Sequence, residues 1–227
     1  MGSEENLPLL AVSRSTNRFS DPTTSCARPF REAKRSVMKG TIVLFSQLSN
    51  QGEAMSSPVK LAHIVLKTSQ FTEMVSWWKE FLEGEARHEN DFISFISYDD
   101  EHHRIAIVNF PNLEERAANA RGLEHFAFTY DTLDDLFAQY ERMKAKGCAP
   151  YWMINHGMTL SAYYRDPDGN QVETQFDAMT MDEADAFMAG PLFAANPIGV
   201  NVDFDDLVSR YRKGESVVSV TDYATAG

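Results

Sequence analysis

Two histidines and one glutamate stand where they could together bind a divalent metal ion. His63 and His125 are the last residues of two similar three-residue segments, Leu61-Ala-His63 and Leu123-Glu-His125. Glu173 lies in a later apolar, strand-like segment. Histidine is the commonest nitrogen ligand for such metals. A glutamate buried without a partner would be costly, so an inward-facing Glu173 favours a bound cation.

A single histidine in a strand is more often a core residue than a metal ligand. Here two histidines occupy equivalent positions of a repeated pattern, and an acid accompanies them. That combination favours metal ligands over ordinary core residues. We therefore predict that His63, His125 and Glu173 bind one metal ion.

The elements that must position these residues follow one another in the same order twice. Alternating β-branched residues, then apolar residues at helical spacing, then three short strands predict the first βαβββ unit, at 59–66, 71–82, 85–90, 92–98 and 103–109. The same order predicts the second unit, at 122–130, 133–146, 150–155, 159–165 and 170–177. The spacing of 62 residues between the two histidines indicates an internal duplication.

The duplication predicts an α+β fold in which two βαβββ repeats form a curved mixed sheet around a metal cleft. We assign this paired domain to residues 58–180. Residues 1–57 hold ten serines and no sustained periodicity, so we expect a disordered or dispensable extension. Residues 181–227 are expected to form a tail of short helices, at 181–188 and 204–212, with a polar end.

The first repeat lacks a counterpart of Glu173. Glu173 follows His125 by 48 residues, and the same spacing from His63 reaches Pro111, beyond a predicted strand at 103–109 that contains no carboxylate. The predicted site therefore has two histidines and one carboxylate. Such a set leaves positions open for substrate and oxygen, as in the facial triad of non-haem ferrous oxygenases.

The net charge of the chain disfavours some classes of binding partner. It has 33 acidic and 21 basic residues, a net charge of -12, which disfavours nucleic acid and anionic membrane surfaces. The two cysteines are far apart and form no CxxC pair, which is typical of a reducing compartment. We expect a cytoplasmic protein; a mitochondrial transit peptide is the alternative for the Ser- and Arg-rich start, although its first residues are acidic.

On these residues the sequence resembles the vicinal oxygen chelate superfamily, which includes glyoxalase I, fosfomycin and bleomycin resistance proteins and type I extradiol dioxygenases. The resemblance covers about residues 59–177. Within the superfamily, Leu123-Glu-His125-Phe-Ala-Phe128 and Tyr163-Tyr-Arg-Asp-Pro-Asp-Gly-Asn-Gln-Val-Glu173 are most similar to the metal-binding module of the extradiol ring-cleaving dioxygenases.

The resemblance implies roles for three further residues. His103 matches the family's acid–base histidine, Tyr163 its active-site tyrosine and His156 a histidine that hydrogen-bonds substrate; His102 stays open as an alternative to His103. Histidine suits proton transfer because its ordinary pKa, about 6.5, lies near the operating pH. By resemblance the cofactor is Fe(II), with Mn(II) as second candidate, and the reactants are a catechol-type aromatic diol and O2. A single paired-repeat domain with a helical tail suggests a homodimer.

Two other functions remain open for the same cleft. A non-oxidative isomerase, epimerase or lyase of the superfamily would use a metal as Lewis acid. The missing fourth ligand and the set of His103, His156 and Tyr163 argue against it. A resistance protein that binds a flat aromatic compound without catalysis would need no stoichiometric iron, so metal analysis distinguishes it.

Overall fold

The computed structural model describes residues 57–117 and 119–225, so the expected extension at 1–57 lies, except for its last residue, outside the described residues. The first repeat comprises β1 (Ile64–Thr68), α1 (Phe71–Leu82), β2 (Glu85–Glu89), β3 (Ile93–Ser97) and β4 (Ile105–Asn109). The second comprises β5 (His125–Tyr130), α2 (Leu133–Ala145), β6 (Trp152–Asn155), β7 (Thr159–Arg165) and β8 (Gln171–Asp177). Both predicted βαβββ units are present.

The tail adds short elements after the second repeat. They are α3 (Met181–Met188), α4 (Pro191–Ala195), β9 (Val200–Asn201), α5 (Phe204–Arg212), α6 (Val217–Val220) and a 3-10 turn (Tyr223–Thr225). The two predicted helices, α3 and α5, have the expected bounds. In the described residues, 57–117 and 119–225, no helix is long and apolar enough to cross a membrane.

The strand order repeats as the duplication requires. The first repeat forms a four-stranded sheet in the order β1-β4-β3-β2, and the second a five-stranded sheet in the order β5-β8-β7-β6-β9. β1 pairs with β4 and β5 with β8 in parallel, while the neighbouring strands pair antiparallel. The α+β class and the mixed character of the sheets are thereby confirmed, with one hydrogen-bonded sheet for each repeat.

The register of these pairs identifies the position in the first repeat that corresponds to Glu173. Glu173 lies opposite Ala127, two residues beyond His125. Val65, two residues beyond His63, lies opposite Ala106. The counterpart is therefore Ala106 and not Pro111, because the two repeats differ in the length of the segments between strands. An alanine supplies no metal ligand, so the predicted site stays a set of two histidines and one carboxylate.

β1 begins later than predicted, which changes the place of His63. The ladder starts at Ile64, opposite Ile105, so His63 precedes the strand instead of lying in it. The preceding backbone is held by a side chain instead, because Arg104 Nη1 donates to the carbonyl oxygens of Leu61 at 2.8 Å and Ala62 at 3.1 Å.

Both helices pack into one hydrophobic core with one face of each sheet. α1 buries Met74, Val75, Trp78 and Phe81, and the Trp78 ring stacks on Phe126 of β5 with ring centroids 5.6 Å apart. The indole Nε1 of Trp78 also donates to Asp166 Oδ2 at 3.3 Å. Contacts from α1 to the second repeat thus hold the repeats together and leave the opposite sheet faces for the site.

Candidate functional site

The open face of the second sheet presents His125 and Glu173 together. Phe126 and Phe128 of β5 pack against the core, so by strand alternation His125 and Ala127 lie on the other face. Glu173 is opposite Ala127 on that same face. The imidazole Nε2 of His125 lies 3.0 Å from Glu173 Oε2.

The burial of Glu173 is the unusual feature of this pair. Its side chain is only 7% exposed, whereas that of His125 is 38% exposed. A buried carboxylate requires compensation by a positive charge or by several hydrogen bonds. One face of the pair thus has a carboxylate and an imidazole side by side, a donor set that suits a divalent transition metal.

Tyr163 lies directly opposite Glu173 on the neighbouring strand β7. Burial raises the pKa of the Tyr163 hydroxyl above its usual value, and the charge of Glu173 and a hydrogen bond to it raise that pKa further. The ring of Tyr163 meets that of His125 edge to face, with centroids 5.3 Å apart. The hydroxyl is therefore protonated at neutral pH.

His156 extends this group through the Tyr163 hydroxyl. Its Nε2 lies 3.1 Å from the hydroxyl oxygen. Its Nδ1 contacts the carbonyl oxygen of Ile198. A carbonyl only accepts hydrogen bonds, so Nδ1 carries a proton and the ring orientation is defined.

The segment before and within β9 supports the site from the tail. The Trp152 indole stacks on Tyr163 with centroids 4.7 Å apart, and its Nε1 donates to Asn201 Oδ1 at 2.8 Å. Gly199, with φ +115°, approaches so closely that an added Cβ would lie 2.3 Å from the Asn155 carbonyl oxygen. The sequence analysis did not predict these contacts of the tail. The turn-forming residues at 196–199 indicate a turn, but they do not indicate which part of the chain that turn contacts.

A second cluster lies at the start of β1 and β4. The rings of His63 and His103 have centroids 4.3 Å apart, and His103 stacks on Phe95 at 4.5 Å. His102 Nδ1 lies 2.6 Å from His103 Nδ1. His88 also reaches this group, with its ring centroid 5.8 Å from that of Phe95.

His103 is less exposed than its neighbour His102. Burial lowers the pKa of His103, and the nearby charges of His63 and His102 lower it further, against an opposing effect of Glu101. His102 has an exposed side chain. His103 is thus the more enclosed of the two, which favours it for proton transfer.

The predicted ligands fall into two groups. His125 and Glu173 are in contact, whereas His63 lies against His103. Among the residues that the structure describes, no three His, Cys, Asp or Glu side chains form a group that could hold a metal ion. The buried carboxylate and its imidazole neighbour fit a metal; the third ligand is not assembled with them.

A separate pocket of about 380 Å³ lies between α1, α2 and the end of β5. Its wall includes Tyr98, Phe128, Tyr130 and Arg142. None of the six predicted site residues lines this pocket, so the pocket is distinct from the candidate metal site.

Paired βαβββ repeats with a histidine–carboxylate pair on the open sheet face define the class of this protein. The chain matches the family model of the Glyoxalase/Bleomycin resistance protein/Dioxygenase superfamily over residues 60–174 and belongs to that family. It is 43% identical to biphenyl-2,3-diol 1,2-dioxygenase 2 of Rhodococcus globerulus over 174 residues, 76% of this chain and 92% of that protein.

A second relative has the same type of name. Biphenyl-2,3-diol 1,2-dioxygenase 3 of Rhodococcus globerulus is 38% identical over 175 residues, 76% of this chain and 92% of that protein. Among solved structures, lactoylglutathione lyase from Agrobacterium tumefaciens covers 53% of this chain and 96% of its own, with 18% identity and a TM-score of 0.44. The predicted superfamily is confirmed.

Proposed function

We propose that this chain is a metal-dependent extradiol dioxygenase that inserts O2 into a catechol-type aromatic diol and cleaves its ring. The observation that carries the proposal is the buried Glu173, in contact with His125 and beside the Tyr163 hydroxyl. The identity of 43% to a biphenyl-2,3-diol 1,2-dioxygenase supports the same activity. Biphenyl-2,3-diol is accordingly the first substrate to test.

The proposed metal ligands are His63, His125 and Glu173, with Fe(II) as the ion and Mn(II) as second candidate. Bound there, a ferrous ion would supply redox and Lewis-acid chemistry with positions open for two reactants. Ala106 takes the place of a fourth ligand, which supports this open set.

Three residues of the chain would act on the substrate. The Tyr163 hydroxyl donates to His156 Nε2, so its oxygen would accept a hydrogen bond from a diol hydroxyl and fix its position. In the tautomer in which His103 Nδ1 donates to His102 Nδ1, the unprotonated Nε2 of His103 would take a proton from the diol and return it later. The lowered pKa of His103 favours the neutral ring that this first step needs.

The aromatic side chains of the site suit a flat substrate. Trp152 stacks on Tyr163, and Phe95 stacks on His103. Aromatic walls of this type bind planar rings through stacking and apolar contact. We expect a cytoplasmic homodimer that acts on a small aromatic diol, with no nucleic acid or membrane partner.

The activity is tested with protein purified without air and supplied with ferrous iron. Biphenyl-2,3-diol and simple catechols are added under oxygen, and the yellow ring-cleavage product and oxygen uptake are followed. The expected result is product formation that is lost in Glu173→Ala. Iron-loaded, folded protein that gives neither product nor oxygen uptake with any of these diols would refute the proposal and favour a non-oxidative enzyme or a binding protein.

A further inference from the structure

The pocket between α1, α2 and the end of β5 has the size and the wall of a small-molecule site. Its volume of about 380 Å³ lies within the usual range for such sites. Three aromatic residues line it, Tyr98, Phe128 and Tyr130. The rings of Tyr98 and Phe128 meet edge to face, with centroids 5.8 Å apart. Aromatic walls of this kind favour a planar ring as ligand.

Gln139 of α2 also lines this pocket, and its side-chain amide is only half satisfied. The residue is 2% exposed, and its Oε1 accepts from the Tyr164 hydroxyl at 3.0 Å. Its Nε2 is the one buried side-chain nitrogen or oxygen without a hydrogen bond in the part of the chain that the structure describes. Buried polar groups are nearly always paired. This donor therefore indicates a ligand that supplies an acceptor.

Tyr130 adds a second donor to the same wall. Burial raises the pKa of Tyr130 to about 12, and the charges of Glu83 and Asp135 raise this pKa while that of Arg142 lowers it. The hydroxyl is therefore protonated at neutral pH and can donate a hydrogen bond. Together with Gln139, it makes the pocket wall suitable for a ligand that contains an oxygen atom.

The charges around the pocket disfavour an anionic ligand. The carboxylates of Glu83, Asp131 and Asp135 line it, against one cation, Arg142. The Arg142 guanidinium is already paired, with the Glu80 carboxylate at 3.2 Å and the Glu83 carboxylate at 3.5 Å. An aromatic carboxylate would therefore meet like charges and a cation that is already neutralised. A neutral ligand meets no such repulsion.

We propose that this pocket is a second ligand site, which binds a neutral phenol. The phenol ring lies among the aromatic side chains, its oxygen accepts from Gln139 Nε2, and its hydroxyl hydrogen donates to a carboxylate of the rim. An organic cation would leave the Gln139 donor unpaired, and the exposed carboxylates of Asp131 and Asp135 contribute little to binding it. This inference does not rest on the proposed function, because none of the six predicted site residues takes part.

Three probes of similar size test the class of ligand. At neutral pH, 4-methylphenol is neutral, 4-methylbenzoate is an anion and 4-methylbenzylammonium is a cation. None of them is a diol, so none is a substrate of the proposed ring cleavage. Each is titrated without oxygen into the full chain, labelled for NMR. The side-chain amide signal of Gln139, assigned by its absence in Gln139→Glu, reports binding. We expect 4-methylphenol to shift this signal saturably and to bind at least about tenfold more tightly than either charged probe.

Ala138→Phe tests the location of the site. Ala138 is exposed on α2 and lines the pocket, so a phenyl ring there fills the pocket without entering the core. The matched control is Ala145→Phe, at an exposed position of the same helix outside the pocket wall. Tyr98→Ala, at another exposed position, removes one ring of the wall. We expect no saturable shift in Ala138→Phe, about tenfold weaker binding in Tyr98→Ala and wild-type binding in Ala145→Phe.

The outcomes either support or overturn the phenol site. Binding of 4-methylphenol that is lost in Ala138→Phe and retained in Ala145→Phe supports it, with circular dichroism to verify that each variant is folded. An unchanged Gln139 signal, a charged probe that binds as tightly as the phenol, or wild-type binding in Ala138→Phe or Tyr98→Ala overturns it. A chain that cleaves no diol but binds the phenol in this way would refute the proposed function and leave the phenol site intact.

Discussion

Gly199→Ala should uncouple the tail from the candidate site. Gly199 has φ +115°, and an added Cβ would lie 2.3 Å from the Asn155 carbonyl oxygen and 2.9 Å from the His156 Cα. Both neighbours are backbone atoms, so neither can turn away as a flexible side chain would. The segment must move, and the Ile198 carbonyl that accepts from His156 Nδ1 moves with it.

The size of the effect follows from two contributions. A non-glycine residue at positive φ costs about 1–2 kcal/mol. Loss of the His156 hydrogen bond adds about 0.5–1.5 kcal/mol. We therefore expect Gly199→Ala to lower the free energy of unfolding by about 1.5–3.5 kcal/mol, toward the upper end of the range known for single substitutions. Turnover should fall as well, because His156 loses the contact that orients it toward Tyr163.

Gly214→Ala is the matched control. Gly214 has φ +96°, but an added Cβ would meet no atom within 4 Å. This variant should lose only the backbone contribution of about 1–2 kcal/mol and keep wild-type turnover. Urea unfolding and steady-state kinetics measure both effects. A Gly199→Ala protein as stable and as active as Gly214→Ala would refute the reasoning.

Three further predictions concern the site and its support. Tyr163→Phe should retain iron but lower kcat at least about tenfold, because it loses the hydroxyl that positions the diol; equal kcat would exclude the hydroxyl from the reaction. His103→Gln should lower kcat by about 100-fold or more at unchanged iron content, and His102→Gln much less; the reverse order would assign proton transfer to His102. Burial raises the pKa of Asp166, so its contribution to stability is present below about pH 4 and is lost as the pH rises through the raised value. Relative to Asp166→Asn, the wild type should therefore lose unfolding free energy above about pH 4, and parallel curves in urea titrations at several pH values would contradict this.

The sequence predicted the repeats well because their signals are local. Alternation over β5 and helical spacing over α1 depend on neighbouring residues, and the recurrence of both patterns gave the order of the elements along the chain. The contact between His125 and Glu173 comes from the structure, in which the first and last strands of a repeat are adjacent. The spacing placed the counterpart of Glu173 near Pro111, whereas the strand register places it at Ala106, because spacing along the chain does not give register.

Other parts of the site depend on packing between distant segments. The position of His63 relative to His125 is set by how α1 packs on the second sheet through Trp78, which no local pattern encodes. The contact from Ile198 to His156 joins residues 42 positions apart. The acceptor is a backbone carbonyl, which every residue has, so the residue type at position 198 does not indicate the contact.

Iron content is the most direct test of the central claim that His125 and Glu173 form part of a ferrous site. Wild-type protein and Glu173→Gln are purified without air, and metals are measured by mass spectrometry. Glutamine preserves the shape of the side chain but removes its charge. We predict about one iron per chain in the wild type and little in the variant, since a metal site of this type requires the carboxylate. Equal iron in both proteins, or no bound metal in active wild type, would contradict the assignment.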